Sequence, residues 1–261
     1  MEKLSVIIIT LNESANIRAC LESVAWADEI IVVDAESTDA TAAICREFTD
    51  KVFVRSWPGY AAQKDFALQQ CSYPWVLNVD ADERVCPELR EEIQHILRDG
   101  SAKDGYLIPR RSYFLGKWIR HCGWYPGYQL RLFRKEKTQV RQVRVHEGFL
   151  AEGKIGKLSG GIDHYSHPSL SQSLAKLDNY SSLEALDRFA DRKQIRWYDF
   201  FFHPLGNFLL KYVRQKGFLD GMHGFLLSWI SALLKMVLYM KMWRLQNDAA
   251  SSLKANPEVA H

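Results

Sequence analysis

The chain has 261 residues, 47% hydrophobic and 25% charged, with a formal net charge of +3. Such an ordinary globular composition can bury a full core, most simply as one large domain with an appendage. Its five cysteines, Cys20, Cys45, Cys71, Cys86 and Cys122, are odd in number and form no Cys-x-x-Cys pair, which argues against a disulfide framework and for packing roles in a reducing cytosol. The charge is uneven: residues 1–105 hold 10 Lys/Arg against 19 Asp/Glu, residues 106–157 hold 12 against 3, and the remainder 12 against 9. A basic middle suits an anionic membrane or a phosphorylated small molecule, and no nucleic-acid motif accompanies it, so no nucleic-acid partner is expected.

The N-terminus enters an apolar strand directly, with no basic region followed by a long apolar stretch and a cleavage site, so secretion is not expected. Ser5–Thr10 (SVIIIT) reads as a buried strand, and Ile17, Leu21 and Val24 then share one helical face. Glu29–Asp34 (EIIVVD) is a second strand. Residues 39–48, 52–55, 61–70 and 75–79 read as helix, strand, helix and strand, and Pro87 opens a further helix over 88–97. This alternation predicts an α/β fold with a doubly wound, mainly parallel sheet, whose ligands gather beyond the carboxyl ends of the strands. Thr10, Asn12 and Glu13 follow the first strand there, Asp34 and Glu36 the second, and Asp80 and Asp82 the fourth.

The stretch WVLNVDADERV places Asp80, Asp82 and Glu83 within four positions of an apolar strand. Crowded carboxylates at the end of a buried element repel one another and lose hydration, so a cation or a set of donors is expected to answer them. A solvated turn at the start of the next helix accounts for Glu83 but less well for the alternating aspartates. A dinucleotide fingerprint is absent, since Leu11, Asn12, Glu13, Ser14, Ala15 and Asn16 follow the first strand. An EF-hand fails because Arg84 and Val85 occupy its fifth and sixth positions, and Arg84 also departs from aspartate-nucleophile phosphotransferases.

SVIIITLNE, VVDAESTDAT and NVDAD together resemble the nucleotide-binding half of family 2 glycosyltransferases, which have the GT-A fold. The segments RRSYFLGKWIRHCGWYP, YQLRLFRK, VHEGF and HYSH look like the bacterial lipopolysaccharide core beta-glucosyltransferase subgroup, so the resemblance covers most of the chain. It implies an inverting, metal-dependent enzyme that moves a hexose, glucose from UDP-glucose, onto the heptose region of a lipid-linked lipopolysaccharide inner core. A polyprenyl-phosphate hexosyltransferase, or a non-catalytic nucleotide-sugar-binding membrane protein, are the alternatives.

On that resemblance Asp82 is the direct ligand of Mg²⁺ or Mn²⁺, and Asp80 faces the ribose or the outer metal shell. Mg²⁺ uses few protein carboxylates and leaves positions for phosphate oxygens, which agrees. His164 and His167, in GIDHYSH, close the metal shell, with His164 as the third ligand, or are structural loop histidines. Asp34 accepts from the uracil edge or caps its strand, Thr10, Asn12 and Glu13 line the nucleoside, and Lys64 reaches the nucleotide or the motif acids, or is solvated. Glu147 is the candidate base that takes the acceptor hydroxyl's proton, or else pairs with Arg144 or another arginine. Gly127 stands where the subgroup commonly has Asp. Arg110, Arg111 and Arg131, together with Arg120 and Arg134, suit acceptor phosphates, because a planar guanidinium matches phosphate oxygens. Trp124, with Trp118 and Tyr125, stacks on sugar rings or packs under a loop.

Residues 1–168 are therefore expected to form the catalytic domain, with a nucleotide-sugar half (1–105) and an acceptor half (106–168), and residues 169–261 a helical region. Leu174, Leu177, Leu183, Leu186 and Phe189 predict one packed helix face. In residues 197–243 the longest uncharged run is Gly221–Leu234, shorter than the roughly 20 residues a span needs. With Lys211, Arg214, Lys216, Lys235, Lys241 and Arg244 alongside, the segment predicts an interfacial helix pair on the anionic cytoplasmic leaflet of the bacterial inner membrane, making the protein cytoplasmic and peripheral. A dimer interface or a buried hairpin is the other reading.

Overall fold

The computed structural model describes residues 1–140, 148–167, 169–191 and 195–255. Its first hundred residues alternate as β1 (Leu4–Thr10), α1 (Ile17–Val24), β2 (Glu29–Asp34), α2 (Thr41–Arg46), β3 (Val52–Val54), α3 (Tyr60–Gln69), β4 (Trp75–Asn78), β5 (Glu83–Val85) and α4 (Pro87–Asp99). The expected order holds. One helix is shorter than its pattern, because the Asp39 carboxylate accepts from the Thr41 N–H at 2.9 Å and starts α2 two residues late. There follow β6 (Gly105–Ile108), β7 (Arg110–Phe114), β8 (Lys117–Trp118), β9 (Gln129–Arg134), β10 (Thr138–Val140), β11 (Phe149–Ala151), β12 (Ile155–Lys157) and β13 (Ile162–His167). The helices α5 (Leu170–Ala190), α6 (Asp199–Leu209) and α7 (Met222–Ala255) end the chain.

The main sheet has the order β12-β6-β9-β4-β1-β2-β3. β3, β2, β1 and β4 are mutually parallel, while β9 runs antiparallel between β4 and β6. The mainly parallel prediction is thus correct, with β9 as its exception. Residues on successive strand positions face opposite layers. Leu4, Val6 and Ile8 pack with Ile17, Leu21, Leu89 and Ile93, and Ile7, Ile31 and Val33 pack with Ala67, Leu68 and Phe133. A smaller sheet sets β13 between β5 and β7. Its register pairs His164 with Glu83 and Asp163 with Arg84. All five cysteines are free and buried, as a packing role requires.

Two compact units divide the chain: Met1–Tyr113 with Tyr125–Ser166, and Phe114–Trp124 with His167–His261. The expected boundary after residue 168 falls beside the junction at 166/167, but Phe114–Trp124 groups with the helical unit.

Within the second unit only Leu177 of the expected α5 leucines is buried. Leu174, Leu183 and Leu186 are exposed, whereas Ser173, Leu177, Ser181 and Ala185 are buried. These buried positions recur every fourth residue, and the small Ser173, Ser181 and Ala185 among them let α5 lie close against α7. Lys235 and Lys241 end the uncharged run, as expected, but α7 continues through them. Their ammonium groups meet Glu184 at 3.1 Å and Asp178 at 2.6 Å on α5, so the helix runs through them for 34 residues. Its Met222–Asp248 stretch is long and apolar enough to cross a membrane by length and composition, and one third of its most apolar window is buried.

Candidate active site

The loops after β1 and β2 are tied together by short polar side chains. β1 and β2 pair with Thr10 level with Asp34, and the Thr10 hydroxyl donates to Asp34 Oδ2 at 2.7 Å. Ser37 donates its N–H to Asp34 Oδ1 (2.8 Å) and its hydroxyl to Oδ2 (2.6 Å). Asp34 is consequently fully buried and satisfied by its own loops. The expected contact with a uracil edge is not offered in this geometry, because the carboxylate is fully buried beneath the turn it holds. Asn12 accepts the Thr38 N–H at 2.9 Å and donates its own N–H to Ser37 Oγ at 2.8 Å. Glu13 donates its N–H to Thr41 Oγ1 at 2.8 Å and accepts from the Asn16 amide on Oε2. Asn12 and Glu36 both adopt positive φ, at 54° and 57°. That conformation is costly for Glu, and the Ser37 bonds next to it hold the chain there.

Sequence reasoning assigned no role to Ser37, Asp39 or Thr41. Asp39 accepts from Thr41 Oγ1 (2.5 Å) and from the Ser14 N–H (3.1 Å), and the Thr41 hydroxyl chiefly holds its carboxyl well below the usual carboxylate range. The signal was present in VVDAESTDAT, where short Ser, Thr and Asp side chains cluster at a strand end.

The crowded acids after β4 are answered by Arg131. β4 and β9 pair Leu77 with Leu132, and continuing that register brings Arg131 to the end of β4. Its Nη2 lies 2.7 Å from Asp80 Oδ2 and 2.6 Å from Glu83 Oε1, with only 5% of the side chain exposed. Glu83 is completely buried and accepts the Asp80 N–H at 2.9 Å. Lys64, also nearly buried on α3, places Nζ 3.8 Å from Asp80 Oδ1, so it is not a solvated helix lysine. Burial opposes the charge on Asp80, but Arg131 and then Lys64 outweigh it and hold the carboxyl well below the usual range. Burial instead pushes Glu83 upward, against the attraction of Arg131. Arg131 was expected to bind acceptor phosphate. Its burial and two carboxylate partners make it the internal counter-charge instead.

Asp82 turns to the smaller sheet. His164 Nε2 stands 3.4 Å from Asp82 Oδ2, and His164 Nδ1 is 3.2 Å from Ser112 Oγ on β7. The Tyr165 N–H donates to the Asp82 carbonyl at 2.9 Å and fixes the two strands in register. With Nδ1 donating to Ser112, His164 would offer its Nε2 lone pair to a cation shared with the Asp82 carboxylate. Adjacent ligands of an ion bound at about 2.1 Å stand about 3 Å apart, so this oxygen–nitrogen pair suits one divalent cation that also takes phosphate oxygens. Among the described residues no group of three or more His, Cys, Asp or Glu is arranged to hold a metal. Asp80, expected as a further ligand, is occupied by Arg131 and Lys64.

The remaining expected residues are dispersed. Arg110 Nη1 is 3.9 Å from Glu83, and Arg111 Nε is 2.7 Å from Asp163. Burial pushes the Asp163 carboxyl up, against that arginine. Arg134 is tied to Glu2 at 2.9 and 3.2 Å and lies over the Trp75 ring. Trp124 belongs to the second unit and meets Phe114 edge-on, as packing under a loop predicts. Glu147 and Arg144 lie outside the described residues, as does the His167 side chain.

The family model described as glycosyl transferase family 2 matches residues 5–149. The chain is 34% identical to the lipopolysaccharide core biosynthesis glycosyltransferase LpsC of Rhizobium meliloti (strain 1021), over 98% of this chain and 96% of that protein. It is 33% identical to an uncharacterized glycosyltransferase of Rickettsia felis, covering 93% and 90%. Among solved structures, S. aureus TarS 1-349 in complex with UDP-GlcNAc aligns over 88% of this chain and 79% of that one, with 19% identity and a TM-score of 0.47.

Proposed function

The chain belongs to glycosyl transferase family 2 and is a glycosyltransferase, and from that premise we propose that it transfers a hexose, glucose from UDP-glucose, to the lipopolysaccharide core with inversion. The observation that carries the reading is the Asp82–His164 pair, backed by Ser112 and set beside the Lys64–Asp80–Arg131 cluster. A divalent ion, Mg²⁺ or Mn²⁺, held by Asp82 and His164 would neutralise the departing diphosphate. Lys64 lies at the same edge and adds a positive charge there, while Arg131 keeps Asp80 ionised and oriented. The loops clasped by Thr10, Asn12, Asp34 and Ser37 form the rim for the nucleoside. Glu147 takes the acceptor hydroxyl's proton, which an inverting displacement requires. Arg110 and Arg111 supply cations toward acceptor phosphate.

The lipid-linked acceptor agrees with the second unit. Trp197, Phe201, Phe202, Leu205, Trp229 and Trp243 are exposed there by 54% or more, far more apolar surface than isolated exposed residues explain. We read it as a peripheral attachment to the cytoplasmic face of the inner membrane. The test is a panel of radiolabelled nucleotide sugars offered to lipopolysaccharide from truncated cores. Transfer from UDP-glucose to core carbohydrate supports the reading. Product linked through phosphate would indicate a polyprenyl-phosphate acceptor, and donor binding without turnover or hydrolysis would indicate a sensor.

A further inference from the structure

The turn between α6 and α7 carries exposed apolar side chains at Val213, Phe218, Leu219 and Met222, each 49% exposed or more. Exposed Arg214 and Lys216 stand among them, and the one acid of the turn, Asp220, is buried. Asp220 is turned inward to hold a second segment of the same unit. Its carboxylate accepts the His121 N–H at 2.8 Å, the Arg120 N–H at 3.3 Å and His121 Nδ1 at 3.2 Å, and its carbonyl accepts Lys117 Nζ at 2.8 Å. Two more bonds close the seam: Lys211 Nζ donates to the Cys122 carbonyl at 3.1 Å, and the Cys122 N–H donates to the Gln215 carbonyl at 3.0 Å. Residues 117–122 are thereby fastened to the base of the apolar turn, with Arg120 stacked 4.4 Å from the centre of the Trp118 ring.

Resting on the membrane-attachment reading, we infer that residues 117–121 and 213–222 form one docking surface for an anionic bilayer, with the apolar turn entering the acyl boundary and Lys117, Arg120, Arg214 and Lys216 at headgroup depth. The occupant follows from charge complementarity. An apolar tip edged by four cations, with its acid buried, matches a layer whose surface is negative and whose interior is hydrocarbon. Trp118, an aromatic with a polar edge, suits the depth between the two. Asp220 is the fastener that brings the cations of a distant loop to the tip, so the surface exists only in the folded unit.

Flotation of the full chain with vesicles tests this, comparing phosphatidylcholine alone with one-third phosphatidylglycerol, at low and high salt. Each cation at a negative surface contributes about fivefold in binding, so Lys117→Gln with Arg120→Gln should weaken attachment to the anionic vesicles by about 5- to 25-fold and hardly change phosphatidylcholine binding. Phe218→Ser with Leu219→Ser should weaken both. Asp220→Ala should mimic the Lys117/Arg120 pair by releasing the loop, and if it does not fold, the pair decides alone. Undiminished anionic-vesicle binding by the Lys117/Arg120 variant would overturn the inference while leaving membrane attachment standing. A wild-type chain that ignores every vesicle and elutes as a dimer would overturn both.

Discussion

Replacing Arg131 by Met removes a buried cation while keeping much of its volume. Glu83, with no exposure, then loses its 2.6 Å guanidinium partner without gaining water and keeps only Arg110 at 3.9 Å, and Asp80 loses its 2.7 Å partner and keeps Lys64 at 3.8 Å. Glu83 escapes by taking up a proton. At pH 7 that costs about 3.7 kcal/mol, at 1.36 kcal/mol per pH unit above an ordinary value of about 4.3, within the range of about 3–5 kcal/mol for breaking a buried pair. For a unit of this size the loss should lower Tm by about 7–15 °C. The sign of the pH dependence follows. A carboxyl whose folded pKa is raised contributes its stability at low pH and loses it as pH rises, so the deficit should shrink to about 1 kcal/mol at pH 5. In the wild type Asp80 acts in the opposite sense, its depressed pKa stabilising the fold above the ordinary carboxylate range and ceasing to do so as pH falls. Circular dichroism melts of wild type, Arg131→Met and Arg131→Met/Glu83→Gln at both pH values measure this, and the double variant should regain most of the loss at pH 7. A single variant that melts within about 1 °C of wild type at both pH values, but needs more acceptor, would refute the counter-charge role and return Arg131 to acceptor binding.

Asp82→Asn should abolish the metal dependence of UDP-glucose binding without altering the melt, read by calorimetry with and without Mn²⁺; unchanged dependence would remove Asp82 from the metal site. Ser112→Ala frees His164 Nδ1 of its 3.2 Å partner and should weaken Mn²⁺ binding by about 10-fold, measured by electron paramagnetic resonance without substrate. An unaltered Mn²⁺ affinity would show that Ser112 does not orient the imidazole. Glu147→Gln should cut single-turnover transfer at saturating substrates by roughly 10²-fold or more while donor affinity barely moves. Near wild-type transfer would exclude Glu147 as the base and make Asp163, now paired with Arg111 at 2.7 Å, the next carboxylate to test.

The order of strands and helices was legible in the sequence because periodicity is local: SVIIIT and EIIVVD are buried on both faces in a parallel sheet and read as continuous apolar runs. The same logic placed Thr10, Asp34, Asp80 and Asp82 at one edge, and the crowding of acids correctly called for a positive partner. Which partner came from pairing across the chain. Arg131 is 51 residues from Asp80, and only the β4–β9 register brings it there; His164 faces Asp82 only because β13 pairs with β5. Along their own strands these side chains look like ordinary basic or loop residues. Asp34 shows the converse, since a strand-end acid looks available until the Thr10 and Ser37 hydroxyls are seen to enclose it. On α5 the leucine spacing suggested one face, but close approach to α7 selected Ser173, Ser181 and Ala185, because two helix backbones can near each other only where side chains are small. Sequence alone determined which residues lie near the strand ends; tertiary pairing decided their partners, because a buried charge is stable only beside its counter-charge, and strand register decides which one that is.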